Sequence, residues 1–165
     1  IKGQGAHRFS RHLGIGTVKQ CPVSPSQSPS ILGGFAQIAR FFPPGRQILA
    51  AIEEEMLELL FPDAPEGKTI LFEDQYISSG GQMYELIVGH DRFIADIRTA
   101  LFGRLKREGK KVGHVCHPYD LAGLLIAEEA GVIVTDLEGN PLSAPLDTQS
   151  AVDWVGYANP AIRSQ

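Results

Sequence analysis

His117-Pro118-Tyr119-Asp120-Leu121-Ala122-Gly123-Leu124-Leu125-Ile126-Ala127-Glu128-Glu129-Ala130-Gly131 sets a carboxylate in the opening turn of an apolar helix. Proline at the first helical position, leucines and isoleucine at helical spacing and glycine just past the end predict a helix of about 13 residues. Free N–H groups and aligned peptide dipoles at its start favour anions. Asp120 therefore either stabilises the first turn or stands where a phosphate and its counter-ions gather. The residues leave both readings open.

Downstream, Val132 to Thr135 reads as a strand and Asp136 as a turn or strand-end residue. Upstream, Arg92 to Ile97 gives another short strand, and Ser78-Ser79-Gly80-Gly81 opens a helix running to about Val88. Small residues at a helix start let a ligand approach backbone N–H groups, so Ser79 and Gly80 are candidate substrate contacts, with a plain helix cap as the competing reading. Gly45 to Phe61 predicts a helix whose Glu53, Glu54, Glu55 and Glu58 fall mostly on a solvated face. Thr69 to Phe72 suggests a buried strand, and the stretch from Ile31 to Arg40 contains another. The Pro/Ser-rich run from Cys21 to Ser30 reads as a loop, and so does the basic run of Arg104, Lys106, Arg107, Lys110 and Lys111. Strands alternating with helices predict an α/β sheet with crossover connections.

Composition narrows the class. The chain has 165 residues, 43% of them hydrophobic and 21% charged, enough for one core. Charge or Pro/Gly interrupts every apolar run well before the roughly 18 residues that a membrane span requires. A net charge of -4 gives no electrostatic case for nucleic acid. Cys21 and Cys116 form no disulfide framework, which points to a reducing cytoplasm. His114-Val115-Cys116-His117 crowds potential zinc ligands together, yet zinc needs a fourth, and neighbours on an extended segment face opposite ways. Cys116 is otherwise a nucleophile or, more simply, a small buried side chain.

The stretch from His117 through Asp136 resembles the C-terminal signature of the inositol monophosphatase family, W-D-x-A-A/G-x-x-I/L-x-x-E-A-G-G-x-x-x-D. Tyr119 stands for the usual Trp, Asp120 for the metal-binding Asp, Glu129-Ala130-Gly131 for the E-A-G turn, and Asp136 for the Asp after the next strand. Lys2-Gly3-Gln4-Gly5-Ala6 is similar to the G-x-G-A segment of the family's central hairpin, and Val155-Gly156-Tyr157-Ala158-Asn159-Pro160-Ala161 to its late strand ending in A-x-N-P-A. The resemblance implies the C-terminal part of a layered αβαβα fold, a mixed sheet flanked by helices. It also implies Mg²⁺ as cofactor, Asp120 as one metal ligand, Ser79 and Gly80 near a small phosphorylated substrate, and a homodimer as an assembly the family often forms. The family's Asp-Pro-Ile/Leu-Asp-Gly-Thr loop and upstream glutamates do not occur here. We therefore expect a C-terminal portion of a larger polypeptide, residues 1–165 forming one unit with no catalytic residue of its own. The basic run marks an insertion relative to the family, and Gly113 holds the place of a substrate-contacting Glu. The alternative is a non-catalytic module of the same fold that binds a phosphate, a polyol or a partner subunit.

Overall fold

The computed structural model describes residues 2–165. Its first element is a hairpin, β1 (Arg8–Arg11) paired antiparallel with β2 (Val18–Cys21). The ribbon carries Phe9, Leu13, Ile15 and Val18, each at least 60% exposed. Two strands alone are marginal in water. At its base the Gly3 and Gly5 N–H groups donate to the Glu129 carboxylate (2.5 and 2.7 Å), and Arg8 donates to the Tyr84 hydroxyl (3.2 Å). The Pro/Ser-rich connection that follows is irregular, as its composition predicts, and Asn159 pins it by donating to the Ser26 and Ser28 carbonyls (2.8 Å each).

Four short strands then build a mixed sheet: β3 (Phe35–Ile38), β4 (Asp91–Asp96), β5 (Ile133–Thr135) and β6 (Trp154–Tyr157), in the order β3-β4-β6-β5. β3 and β4 are parallel, and β6 is antiparallel to both of its neighbours. A parallel pair needs a long crossover. Here it contains α1 (Arg46–Leu60) and α2 (Ser79–Val88). Helices α3 (Arg98–Arg107), α4 (Leu124–Ala130) and α5 (Pro160–Arg163) complete the chain. Successive residues of a strand face opposite sides, and β4 divides the core accordingly. Ile94 joins Met83, Leu86, Ala127, Val134 and Trp154 in one cluster, while Ala95 joins Ile38, Leu49, Leu101, Phe102 and Leu105 in the other. This is the mixed α/β sheet flanked by helices that the sequence implied.

Both helices of the crossover lie where the sequence predicts them. Gly45 and Phe61 bound α1, and the Ser78 hydroxyl accepts the Gly81 N–H (3.1 Å) at the start of α2, which stops at Gly89. Four expectations need correction. Thr69 to Phe72 is not a buried strand: it forms one bridge, Phe72 to Phe35, beside a bond from the Gly33 N–H to the Ile70 carbonyl (2.6 Å), and the Phe72 side chain is 49% exposed. Beyond that bridge, side chains replace the missing strand on the open edge of β3. The Ile38 N–H donates to Glu53 Oε1 (3.0 Å), the Ile38 carbonyl accepts from Gln75 Nε2 (3.0 Å), and the Arg40 N–H donates to Gln75 Oε1 (2.9 Å).

Glu53 is consequently not part of a solvated face. It is 7% exposed and paired with Arg40 (2.8 Å), and burial holds its carboxyl above the usual value against the pull of the Ile38 N–H and Arg40. The basic run is only partly a loop: Lys110 and Lys111 lie beyond any helix or strand, but its first three residues do not. Arg104, Lys106 and Arg107 form the last turn of α3, whose Leu101, Phe102 and Leu105 are buried, and cations there complement the helix dipole. Last, the helix opened by Pro118 is split into a 3₁₀ turn (Pro118–Leu121) and α4. The Asp120 N–H bonds to the His117 carbonyl (2.9 Å) in the tighter i to i−3 pattern, and Gly123, a weak helix former, sits at the joint.

Candidate functional site

The start of α2 and the 3₁₀ turn face each other across a cleft of about 280 Å³. Ser78 and Ser79 line it from α2, His117, Tyr119 and Asp120 from the turn, and Arg98 from the start of α3. Two residues singled out in the sequence, Ser79 and Asp120, thus share one cavity. Gly80 lies one step outside the lining, exposed, with open space where a Cβ would stand.

The start of α2 offers backbone rather than hydroxyl groups. The Ser78 hydroxyl is occupied by the Gly81 N–H, and the Ser79 hydroxyl, 4% exposed, donates inward to Cys116 Sγ (3.4 Å). The N–H groups of Ser79 and Gly80 have no partner among the described residues, as expected of the first helical positions.

Asp120 divides its two oxygens. Oδ2 accepts the His117 N–H (2.9 Å) and lies 3.7 Å from His117 Nδ1. Oδ1 accepts no hydrogen bond among the described residues, and the side chain is 34% exposed. Capping with one oxygen and ligation with the other are therefore compatible. Tyr119 stacks on His117 with ring centroids 5.2 Å apart and planes 6° from parallel, its hydroxyl 3.2 Å from Nδ1.

Arg98 forms the inner wall. It is 3% exposed; Nε and Nη2 donate to the Asp96 carboxylate (2.8 and 2.6 Å) and Nη1 to the His114 carbonyl (3.1 Å). Its guanidinium lies 4.6 Å from the Phe41 ring centroid. Burial works against its charge, but the hydrogen bonds and charge of Asp96 outweigh that and hold its pKa above the ordinary value. Arg98 and Asp96 neutralise each other, leaving Asp120 as the uncompensated charge on the wall. Sequence reading missed Arg98 and Phe42. The two-residue spacing from Asp96 to Arg98 just after a strand was the available signal for the first.

The other candidates resolve plainly. Cys116 is 1% exposed and burial pushes its thiol up to about 12, against the hydrogen bond from Ser79. Such a thiol is not a nucleophile at neutral pH. Among the described residues no group of three His, Cys, Asp or Glu side chains is placed to hold a metal, so the zinc reading of His114, Cys116 and His117 has no support. Asp136 is a turn residue whose carboxylate accepts the Glu138 and Asn140 N–H groups (3.0 and 2.8 Å). Gly113 packs so closely that a Cβ would lie 2.6 Å from the Pro43 carbonyl oxygen, leaving no room for a carboxylate-bearing side chain.

No protein-family model matches this chain, and no curated protein matches its sequence. Solved structures do. SaIMPase-II, a structure with 2′-AMP bound, matches with a TM-score of 0.55 at 14% identity over 96% of this chain and 49% of its own. An inositol monophosphatase from Anabaena (Nostoc) matches with 0.53 at 14% identity over 93% and 50%, and a Thermotoga maritima IMPase with 0.52 at 14% over 92% and 46%. The chain spans about half the length of these neighbours. It has the fold of an inositol monophosphatase over that half, a coverage consistent with a C-terminal part.

Proposed function

We propose that this chain is the C-terminal part of a magnesium-dependent phosphomonoesterase acting on an inositol phosphate, a sugar phosphate or a similar small ester. One observation carries the reading: a single cleft is lined both by Ser79, whose N–H has no partner among the described residues, and by Asp120, one oxygen of which accepts no hydrogen bond. Backbone N–H groups at a helix start suit phosphate oxygens. A hard cation takes oxygen ligands, commonly one or two carboxylates completed by substrate phosphate and water. Asp120 Oδ1 fits that donor set as one ligand.

In this reading the Ser79 and Gly80 N–H groups hold and orient the phosphate. The His117 N–H keeps Oδ2 of Asp120 occupied, which fixes the direction of Oδ1. The Asp96–Arg98 pair stiffens the inner wall without adding net charge. Bound at Asp120, Mg²⁺ supplies polarisation of the phosphate and a water of lowered pKa. The groups that activate that water belong to an N-terminal metal-binding half of the polypeptide, so residues 1–165 alone are inactive or nearly so. Two free cysteines accord with a cytoplasmic protein, and a homodimer is the assembly this reading favours.

Titration calorimetry with a phosphate monoester, with and without Mg²⁺, tests the proposal on this chain. Mg²⁺ should tighten binding, and Asp120→Asn, whose amide oxygen still accepts the His117 N–H, should lose that gain. Unchanged magnesium dependence in Asp120→Asn would remove Asp120 from the metal site and the reading with it.

A further inference from the structure

We infer that a second cavity, between α1, α5 and the β4–β6 pair, binds a small carboxylic acid with a compact apolar body; the inference is independent of the phosphatase reading. The cavity measures about 240 Å³ and shares no lining residue with the cleft. Its floor comes from the sheet. Residues directly opposite each other on paired strands point to the same face, and Phe93 of β4 stands opposite Tyr157 of β6, their ring centroids 5.7 Å apart. Met56 and Leu60, one turn apart on α1, form a wall, and the buried Ile31 and Ile162 close two further sides.

Two polar groups on this apolar lining have unused capacity. Arg163 gives Nη2 to the Gly139 carbonyl (2.9 Å) and forms no ion pair among the described residues, so Nε and Nη1 remain available. The Tyr157 hydroxyl makes no hydrogen bond among the described residues. A guanidinium presents its N–H groups as a fork that a carboxylate fits, and a phenol can donate to the same anion. One cation and one hydroxyl beside an otherwise apolar wall suit a monocarboxylate. A sugar would strand its hydroxyls against Met56, Leu60 and Phe93. The volume falls below the roughly 300 Å³ at which typical ligand sites begin, which limits the apolar body to one ring or a short branched chain. The flexible Met56 side chain can adjust to either.

The test titrates the full, isotope-labelled chain with phenylacetate and follows the amide resonances by NMR. Saturable shifts should centre on Leu60, Phe93, Tyr157, Ile162 and Arg163, with a Kd of about 1 mM or tighter, while the Ser79 and Asp120 amides stay in place. Phenethyl alcohol keeps the ring and loses the charge, so it should bind about threefold more weakly or worse. Arg163→Gln, at an exposed position, should lower the affinity for phenylacetate to that of the alcohol. Three results would each overturn the inference: no saturable shift at those residues, equal binding of acid and alcohol, or an Arg163→Gln variant that binds phenylacetate as tightly as the parent. None of them bears on the phosphatase reading.

Discussion

Replacing Glu53 by alanine should cost this protein far more than any other change on the acidic face of α1. The carboxylate performs two tasks: Oε1 accepts the Ile38 N–H on the open edge of β3, and Oε2 pairs with Arg40. Alanine leaves the Ile38 donor buried without a partner, which costs about 1–3 kcal/mol. It also breaks a largely buried ion pair, although Arg40 is 20% exposed and keeps Glu73, so the loss is less than the roughly 3–5 kcal/mol of a fully buried pair. Together these place the effect at about 2–4 kcal/mol, a large share of the roughly 5–15 kcal/mol that holds a typical domain folded. Glu53→Gln keeps an acceptor for Ile38 and loses only the charge, so about 1 kcal/mol is expected. Glu54→Ala and Glu58→Ala, on exposed positions of the same helix, should stay within about 0.5 kcal/mol of the parent. Urea unfolding read by fluorescence suits the measurement, since Trp154 is the only tryptophan and is wholly buried on β6. A Glu53→Ala variant as stable as Glu54→Ala would show that the β3 edge is not closed by this side chain.

Other expected outcomes concern the core and the cleft's surroundings. In native protein a thiol reagent should modify Cys21, which is partly exposed, and reach Cys116 only after unfolding; equal reaction of both would contradict the buried thiol whose pKa is about 12. Asp153 accepts the Thr99 and Ala100 N–H groups that open α3, and burial pushes its carboxyl up to about 6 from 3.8 despite those bonds. The folded state therefore retains a proton that the unfolded state releases. This contribution is fully present below the unfolded value and is lost as pH rises through about 6. At about 1.4 kcal/mol per tenfold change in acidity, it is about 3 kcal/mol at most. Asp153→Asn should flatten that part of the pH profile of urea stability, and an unaltered profile would contradict the assignment. Gly156→Ala would put a Cβ 2.5 Å from Leu86 Cδ1 in the closed contact of β6 with α2, so a loss of about 1–3 kcal/mol and a shifted Trp154 emission are expected; parent-like values would show that the core yields there.

What the sequence made legible was mostly local. Ser78 and Gly89 mark the ends of α2 because capping acts within one turn, and α1 lies between Gly45 and Phe61 as its pattern predicts. The strand expected at Arg92–Ile97 is shifted by one residue at both ends from the observed Asp91–Asp96, and that at Val132–Thr135 begins one residue early. Asp120 and Ser79, which line one cleft, are legible as candidates because a carboxylate and a small-residue turn at helix starts can be read from spacing. What escaped was set at a distance. Helix α3 takes its N-terminal cap from Asp153, more than fifty residues on, and its apolar residues are few beside the basic ones. The spacing of Leu101, Phe102 and Leu105 was the signal present. Glu53 looks solvated on a helical wheel because its partner is an N–H left open by a sheet edge that no local pattern reveals. Thr69 to Phe72 has strand-forming residues, but the edge it approaches is closed mainly by Glu53 and Gln75. Phe42 enters the site through tertiary packing alone.

The most direct test of the central claim is a crystal structure of this chain grown with Mn²⁺ and a phosphate monoester, the manganese located by its anomalous signal. The account expects a metal peak about 2.1 Å from an Asp120 oxygen, with phosphate oxygens between it and the Ser79 and Gly80 N–H groups. A metal bound elsewhere, or a phosphate away from the start of α2 with Asp120 free of metal, would contradict it.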